Sequence, residues 1–196
     1  SFDAMCRTLL ILLFLCAAAP AFNQALTIDE NEDEKILYLR ELEFLIDSSN
    51  TLAFPEISDP LFREKFGRND SYQNKDFLVN VSYWIKIPIH HIPEGKKIWL
   101  LEFYDQTIDY IDAFVPTEEG SYAPLKMGAH YPFTQRTVLQ KNFEIQLDMR
   151  KDTTLAYYFR VRSHEFADIR IAFRSENRFI YYALNEYFLY GTFYGM

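Results

Sequence analysis

The sequence predicts an all-β chain folded as a β-sandwich, with a helix at its C-terminal end. Three observations carry that expectation. In residues 79–89, Val79, Val81, Tyr83, Ile85, Ile87 and Ile89 form one row, and Asn80, Ser82, Trp84, Lys86 and Pro88 form the other. Unbroken alternation of this kind is a strand with one face turned to a core. Further apolar runs of strand length follow, with turn residues between them and no strong helical periodicity, which is the spacing of a sandwich. Composition agrees: 18 Phe, 14 Tyr and 2 Trp make up 17% of the 196 residues, against 6 Gly and 8 Pro. Aromatic side chains suit a pleated, half-buried surface, and 49% apolar residues can fill a core.

The first element in the chain is an address. Residues 1–21 read SFDAMCRTLLILLFLCAAAPA: Arg7 precedes an apolar run over 9–19, and Ala19-Pro20-Ala21 is a small-residue cleavage pattern, with Ala25 as a later alternative. The run falls short of the roughly 20 apolar residues of a membrane span and fits a secretory signal. Met5 reads as the start, with Ser1 to Ala4 upstream of it. Cleavage removes Asp3 and Arg7, so the net charge stays at −8, and it removes both Cys6 and Cys16. The exported domain is then expected to depend on its apolar core rather than on disulfides. Cys16 follows Leu13-Phe14-Leu15, where a lipidation signal would need a small residue, so no lipid anchor is expected there.

Residues 28–33 are acidic and read as a frayed lead. Residues 35–46, KILYLRELEFLI, fit a strand and a helix equally. In 51–66, Leu52, Phe54, Ile57, Leu61 and Phe66 surround Pro55 and Pro60, so this segment is irregular with room for one helical turn. Residues 67–76 are polar and read as a loop, and Pro93-Glu94-Gly95 signals a turn after the alternating strand. Later strands are expected at 98–104, 108–115, 143–147, 155–163 and 169–173. From Ser175, an N-cap with Arg178 in the first turn, a helix begins that contains FIYYALNEYFLYGTFYGM. Asn185 and Glu186 keep residues 176–196 from being a membrane span alone, while the rising Tyr content suits a membrane–water interface. The expectation is a juxtamembrane helix leading into a transmembrane helix; the alternative is a terminal helix docked on the sandwich.

Lys and Arg number 20 against 28 Asp and Glu, a net charge of −8. Phosphate binding is carried by clustered Lys and Arg, which this chain lacks, so nucleic acid is set aside as a partner. Glu102, Asp105, Asp109 and Asp112 lie close in sequence, and paired carboxylates can hydrolyse glycosides. Yet Asp109 and Asp112 face opposite sides of a regular strand, and a turn separates Asp105 from Asp109, so these acids read as turn and strand-end residues. A G-x-S-x-G elbow, a Gly-rich phosphate loop and a cysteine beyond the address are all lacking, and no enzyme is expected. His90, His91, His130 and His164 show no ligand spacing, and no cofactor is expected. Calcium held by Asp and backbone carbonyls would leave little trace, and nothing in the sequence supports it.

The binding candidates lie on the polar row of the alternating strand. Trp84 stands between Ser82 and Lys86; in 155–163, Tyr158, Arg160 and Arg162 form a row opposite Leu155, Tyr157, Phe159 and Val161. If the two strands share a sheet, Trp84, Lys86, Tyr158 and Arg160 line one aromatic, polar face. Such a face suits a sugar ring or a carboxylated ligand, the plate giving area and the donors orientation. Arg136 is the fifth candidate. In the competing reading Trp84 packs beneath a loop, Arg160 pairs with an aspartate such as Asp109, and Arg136 is a structural clasp, since aromatics this abundant mostly serve packing.

Five motifs, in this order, resemble those of one bacterial receptor family. They are Tyr83-Trp84-Ile85-Lys86-Ile87, the aspartate-bearing Ile108-Asp109-Tyr110-Ile111-Asp112-Ala113-Phe114, and Gly128-Ala129-His130-Tyr131-Pro132-Phe133-Thr134-Gln135-Arg136, similar to a G-x-x-x-P-F-x-x-R segment. Tyr158-Phe159-Arg160-Val161-Arg162-Ser163 and Gly191-Thr192-Phe193-Tyr194-Gly195 complete the set. The family is the seven-transmembrane receptors with diverse intracellular signalling modules, and the resemblance, over residues 27–196, is to their type 2 extracellular domain. Two positions depart from its pattern: Ala113-Phe114-Val115 replaces a hydrophobic-Tyr ending, and His130-Tyr131 stands where a small or acidic residue is common.

The resemblance implies a jelly-roll sandwich over 27–175 similar to carbohydrate-binding modules. It also implies a periplasmic place at the bacterial inner membrane and a sensory role upstream of transmembrane and cytoplasmic signalling domains. The expected ligand is a saccharide or another small molecule. A partner-binding or dimerisation module without a small ligand, and a free secreted carbohydrate-binding protein, are the alternatives.

Overall fold

The computed structural model describes residues 25–28, 31–91, 98–147 and 153–195. The address at 1–21, the turn expected at 93–95 and Met196 lie outside the described residues. In chain order the strands are β1 (Leu26–Thr27), β2 (Glu34–Tyr38), β3 (Glu43–Asp47), β4 (Ser82–His91), β5 (Trp99–Phe103), β6 (Tyr110–Pro116), β7 (Tyr122–Met127), β8 (Phe143–Leu147), β9 (Thr153–Arg162) and β10 (Arg170–Ser175). A single helical turn, α1 (Phe54–Ile57), and a long helix, α2 (Glu176–Tyr194), complete the regular structure together with four short 3-10 turns.

Two sheets make an all-β sandwich. The first runs β1-β4-β9-β6-β7, with β3 also beside β4; the second runs β2-β10-β5-β8. Only the β1–β4 contact is parallel among the described strands. The spine of the first sheet is the antiparallel β4–β9 ladder, from Tyr83 opposite Val161 to His91 opposite Thr153. Tyr83, Ile85, Ile87 and Ile89 turn inward, as the alternation predicts, and meet Leu101, Phe103, Phe143, Ile145, Ile171 and Phe173 of the second sheet.

Three local outcomes differ from the sequence expectation. Residues 35–46 are neither one strand nor one helix: a 3-10 turn at Leu39–Glu41 breaks the run, so β2 joins the second sheet and β3 the first. The alternating strand begins at Ser82, and Val79 is exposed at a turn next to Asn80, whose φ of 62° is left-handed. β7 was not expected at all. Its Pro124 is tolerable because β7 is an edge strand, where a missing N–H interrupts no ladder.

The segment after β7 crosses the start of β6. Ala129 N–H donates to the Ile108 carbonyl at 2.8 Å and His130 N–H to the Asp109 carbonyl at 3.2 Å. Gly128 permits this crossing: its φ is +129°, and a Cβ there would lie 2.2 Å from the Asp109 carbonyl oxygen. Gly128→Ala is therefore expected to cost about 3 kcal/mol of stability through backbone strain, read as a lower denaturation midpoint in urea.

Candidate functional site

The outer face of the first sheet is built in two cross-strand rows. One runs Leu45, Trp84, Arg160, Asp112, Lys126; the next runs Glu43, Lys86, Tyr158, Phe114, Pro124. Trp84, Lys86, Tyr158 and Arg160 thus share one face, brought there by common parity and the β4–β9 register. Arg160 donates from Nε and Nη2 to Asp112 Oδ2 at 2.9 and 2.6 Å, and its guanidinium lies 5.5 Å from the Trp84 ring centroid. Lys86 Nζ meets Glu43 Oε2 at 3.3 Å. The carboxylate that takes Arg160 is that of Asp112, because the register sets Asp112 opposite Arg160. Asp109, just before the strand, instead accepts at Oδ2 from the backbone N–H of His164 at 2.8 Å and lies 2.9 Å from His164 Nδ1.

This face is roofed. The segment from Leu52 to Phe66 lays Leu52, Phe54, Ile57, Phe62 and Phe66 over Trp84 and Tyr158, forming a second apolar cluster apart from the main core. Phe54 is its centre. It stacks on Phe114 with centroids 4.0 Å apart and planes at 4°, and meets Tyr122 and Tyr158 edge-on at 4.9 and 5.7 Å. Trp84 is consequently 0% exposed and Lys86 only 6%. Trp84 Nε1 is buried and meets no hydrogen-bond partner among the described residues. Burial pushes the Tyr122 and Tyr158 hydroxyls above the usual phenol range. Alternation identified this face but not its cover, since the covering residues lie well upstream of β4.

Arg136 is not among these residues. It stands after the 3-10 turn Phe133–Gln135, beside β8 of the second sheet, and its guanidinium lies over Phe133 and Phe143 at 4.8 and 4.7 Å. Nη1 donates to the Gln140 carbonyl at 2.6 Å, to that of Lys141, and to that of Asn142 at 3.5 Å.

The outer face of the second sheet is covered by α2, whose N-cap is Ser175: its Oγ accepts from Arg178 N–H at 3.3 Å. Its half-buried positions are Arg178, Phe179, Tyr182, Ala183 and Glu186, while Tyr181, Leu184 and Phe188 are exposed, Phe188 at 74%. Arg178 pairs with Glu34 at 3.1 Å, Tyr182 Oη lies 2.6 Å from Tyr104 Oη, Glu186 pairs with Lys141, and Tyr187 Oη donates to Gln140 Oε1 at 2.7 Å. The buried Arg174 joins Glu34 and Glu102 and lies under Tyr182, 4.6 Å from the ring centroid. Burial works to raise the Glu34 carboxyl, yet the hydrogen bonds from Arg174 and Arg178 outweigh it and hold it low. Among the described residues, no helix is long and apolar enough to cross a membrane, and no group of three or more His, Cys, Asp or Glu could hold a metal ion.

A family model described as 7TMR-DISM extracellular 2 matches residues 39–175, from the turn after β2 to the N-cap of α2. No curated protein matches the chain.

Two outcomes are expected. Phe54→Ala should cost about 2 kcal/mol and shift tryptophan emission to longer wavelength, as the roof over Trp84 loosens. The His164 backbone N–H, followed by the His164 side chain and Ser163, holds the Asp109 carboxyl below the usual range despite partial burial. Its stabilisation is therefore present above the unfolded carboxyl's value, near pH 4, and is lost as pH falls through the folded one. Asp109→Asn should cost about 1 kcal/mol at pH 7 and progressively less in acid, measured by urea titration across pH.

Proposed function

The chain belongs to the 7TMR-DISM extracellular 2 family, the exported, periplasmic part of an inner-membrane receptor, and from that premise we propose that it senses a small ligand. The ligand is of saccharide class, and its occupancy passes through α2 to transmembrane and cytoplasmic signalling parts. The observation that carries this reading is the gathering of Trp84, Lys86, Tyr158 and Arg160 on one face with Trp84 Nε1 left without an acceptor. An unmet buried donor costs roughly 1–3 kcal/mol. A ligand hydroxyl would meet it, the indole and phenol rings supplying contact area and Arg160 and Lys86 orientation.

Entry requires the roof to lift. The ligand then binds only the open arrangement, and differential affinity for open and closed forms is what a sensor needs. On the other sheet, α2 is held by a few specific polar contacts rather than by a broad apolar seam, which suits a helix that must move. The outward row of Tyr181, Leu184 and Phe188 favours a second reading, in which this surface meets a partner protein or a second copy without any small ligand.

A thermal-shift screen of mono- and oligosaccharides, amino acids and organic acids, with and without calcium, separates the two. A ligand at about 100 times its Kd should stabilise the fold by roughly 2.7 kcal/mol. The shift should shrink in Trp84→Phe, which keeps a ring in the cluster but deletes the Nε1 donor, and in Lys86→Met. Cooperative melting with no shift from any compound would favour the partner reading, checked by sedimentation for self-association.

A further inference from the structure

The outer face of the second sheet holds a carboxyl group that the contacts above leave unused. Glu144 on β8 is 2% exposed and sits directly across the ladder from Glu102 on β5. Among the described residues, neither of its oxygens meets a hydrogen-bond partner from another residue. A buried carboxyl in that position is stable as the neutral acid, because the ion would have to be paired. Burial pushes Glu144 up to about 8, against smaller opposing pulls from Arg136 and from its own backbone N–H.

The charged groups around it are mostly committed. Glu102 pairs with Arg174 and accepts from Asn142 Nδ2; Arg174 also bonds Glu34, which holds Arg178. Lys141 pairs with Glu186 of α2. Arg136 differs. It pairs with no carboxylate among the described residues, its Nη1 donates to the carbonyls of Gln140, Lys141 and Asn142, and its buried Nε has no acceptor. An unmet acceptor and an unmet donor thus share one neighbourhood, next to the segment that carries Gln140 and Lys141. These two residues make the described contacts to the second half of α2, through Tyr187 and Glu186.

We propose that Glu144 and Arg136 form a proton-operated latch on α2. With Glu144 protonated, Arg136 holds the 140–142 carbonyls in place and the helix is docked. When Glu144 gives its proton to solvent, the new carboxylate lies beside that of Glu102 and draws the Arg136 guanidinium away from those carbonyls. The 140–142 segment loosens, and with it the hold on Glu186 and Tyr187, while Arg178–Glu34 and Tyr182–Tyr104 keep the first half of the helix seated. Rising pH opens the latch. Its meaning as a signal rests on the reading of α2 as the output helix.

The test is carboxyl-carbon NMR of the whole chain from pH 6.5 to 9.5, with amide hydrogen exchange corrected for intrinsic rate. Glu144 should titrate in that window, and protection of amides in 138–142 and 184–190 should fall at least tenfold through the same midpoint, with 176–182 unchanged. Glu144→Gln, isosteric and unable to ionise, should stay protected at every pH. Tyr187→Phe should lower protection of 184–190 at every pH and leave the Glu144 midpoint in place. A Glu144 titration in the ordinary carboxylate range, or the wild-type pH profile in Glu144→Gln, or loss of protection spread evenly over the sandwich, overturns the latch. The saccharide screen reads the ligand proposal independently: silence there leaves the exchange result standing, and a flat exchange profile leaves a sugar response standing.

Discussion

The first sheet depends on the burial of β4 on both of its faces. An antiparallel sheet usually keeps one side wet. Here the inward row of Tyr83, Ile85, Ile87 and Ile89 fills the sandwich, and the outward row of Ser82, Trp84 and Lys86 is just as inaccessible. Two consequences follow. The 52–66 segment cannot be a free loop, because without it Trp84, Tyr158 and Phe114 would form an exposed aromatic patch. Every charge under it must also be paired, since an unpaired buried ion costs more than apolar packing returns. Lys86 meets that condition with Glu43, and the half-exposed Arg160 pairs with Asp112; the two pairs join β4 to β3 and β9 to β6.

The second sheet is covered by opposite means. Where the first face takes an apolar roof, this one takes a helix joined to it through polar side chains. An apolar roof is non-directional: its attraction follows buried area and tolerates small shifts. The contacts beneath α2 are discrete: Arg178 with Glu34, Tyr182 with Tyr104 and Arg174, Glu186 with Lys141 and Tyr187 with Gln140. Such contacts depend on charge and geometry and can be lost singly. The cover of one outer face thus depends on buried area, and that of the other on individual charges and hydroxyls.

What was legible in the sequence tracks what is local. Alternation alone oriented β4 correctly, and the rows of residues 155–163 set Tyr158 and Arg160 on one face; that this face adjoins Trp84 was conditional on a shared sheet, which the β4–β9 ladder supplies. Ser175 announced its helix, because a cap is a contact of three residues' span. What was illegible is long-range. Parity says which face Trp84 occupies but not that Phe54 and Ile57 cover it. The choice of Asp112 over Asp109 as the partner of Arg160 is a matter of β6–β9 register. β7 was hidden by Pro124 and Lys126, which dilute the apolar content of an edge strand. Glu144, flanked by Phe143 and Ile145, reads as an ordinary outward residue, and only the tertiary packing makes that position dry.

The polar contacts of α2 limit how the helix can move. With Arg178, Tyr182 and Glu186 toward the sheet, rotation about the helix axis would carry their partners' charges into apolar company and bring Leu184 and Phe188 against Arg174 and Glu102. Both changes are costly, because each strips an ion of its partner. Tilting or sliding keeps the polar row inward and changes only how many of its contacts are made. The contacts at the two ends of that row differ in kind. Arg178–Glu34 joins the helix start to β2 and β10, within the rigid sheet. Glu186–Lys141 and Tyr187–Gln140 join its later part to the 140–142 segment, outside the strands. The start is thus tied to the sheet itself, and the later turns to a segment between the strands.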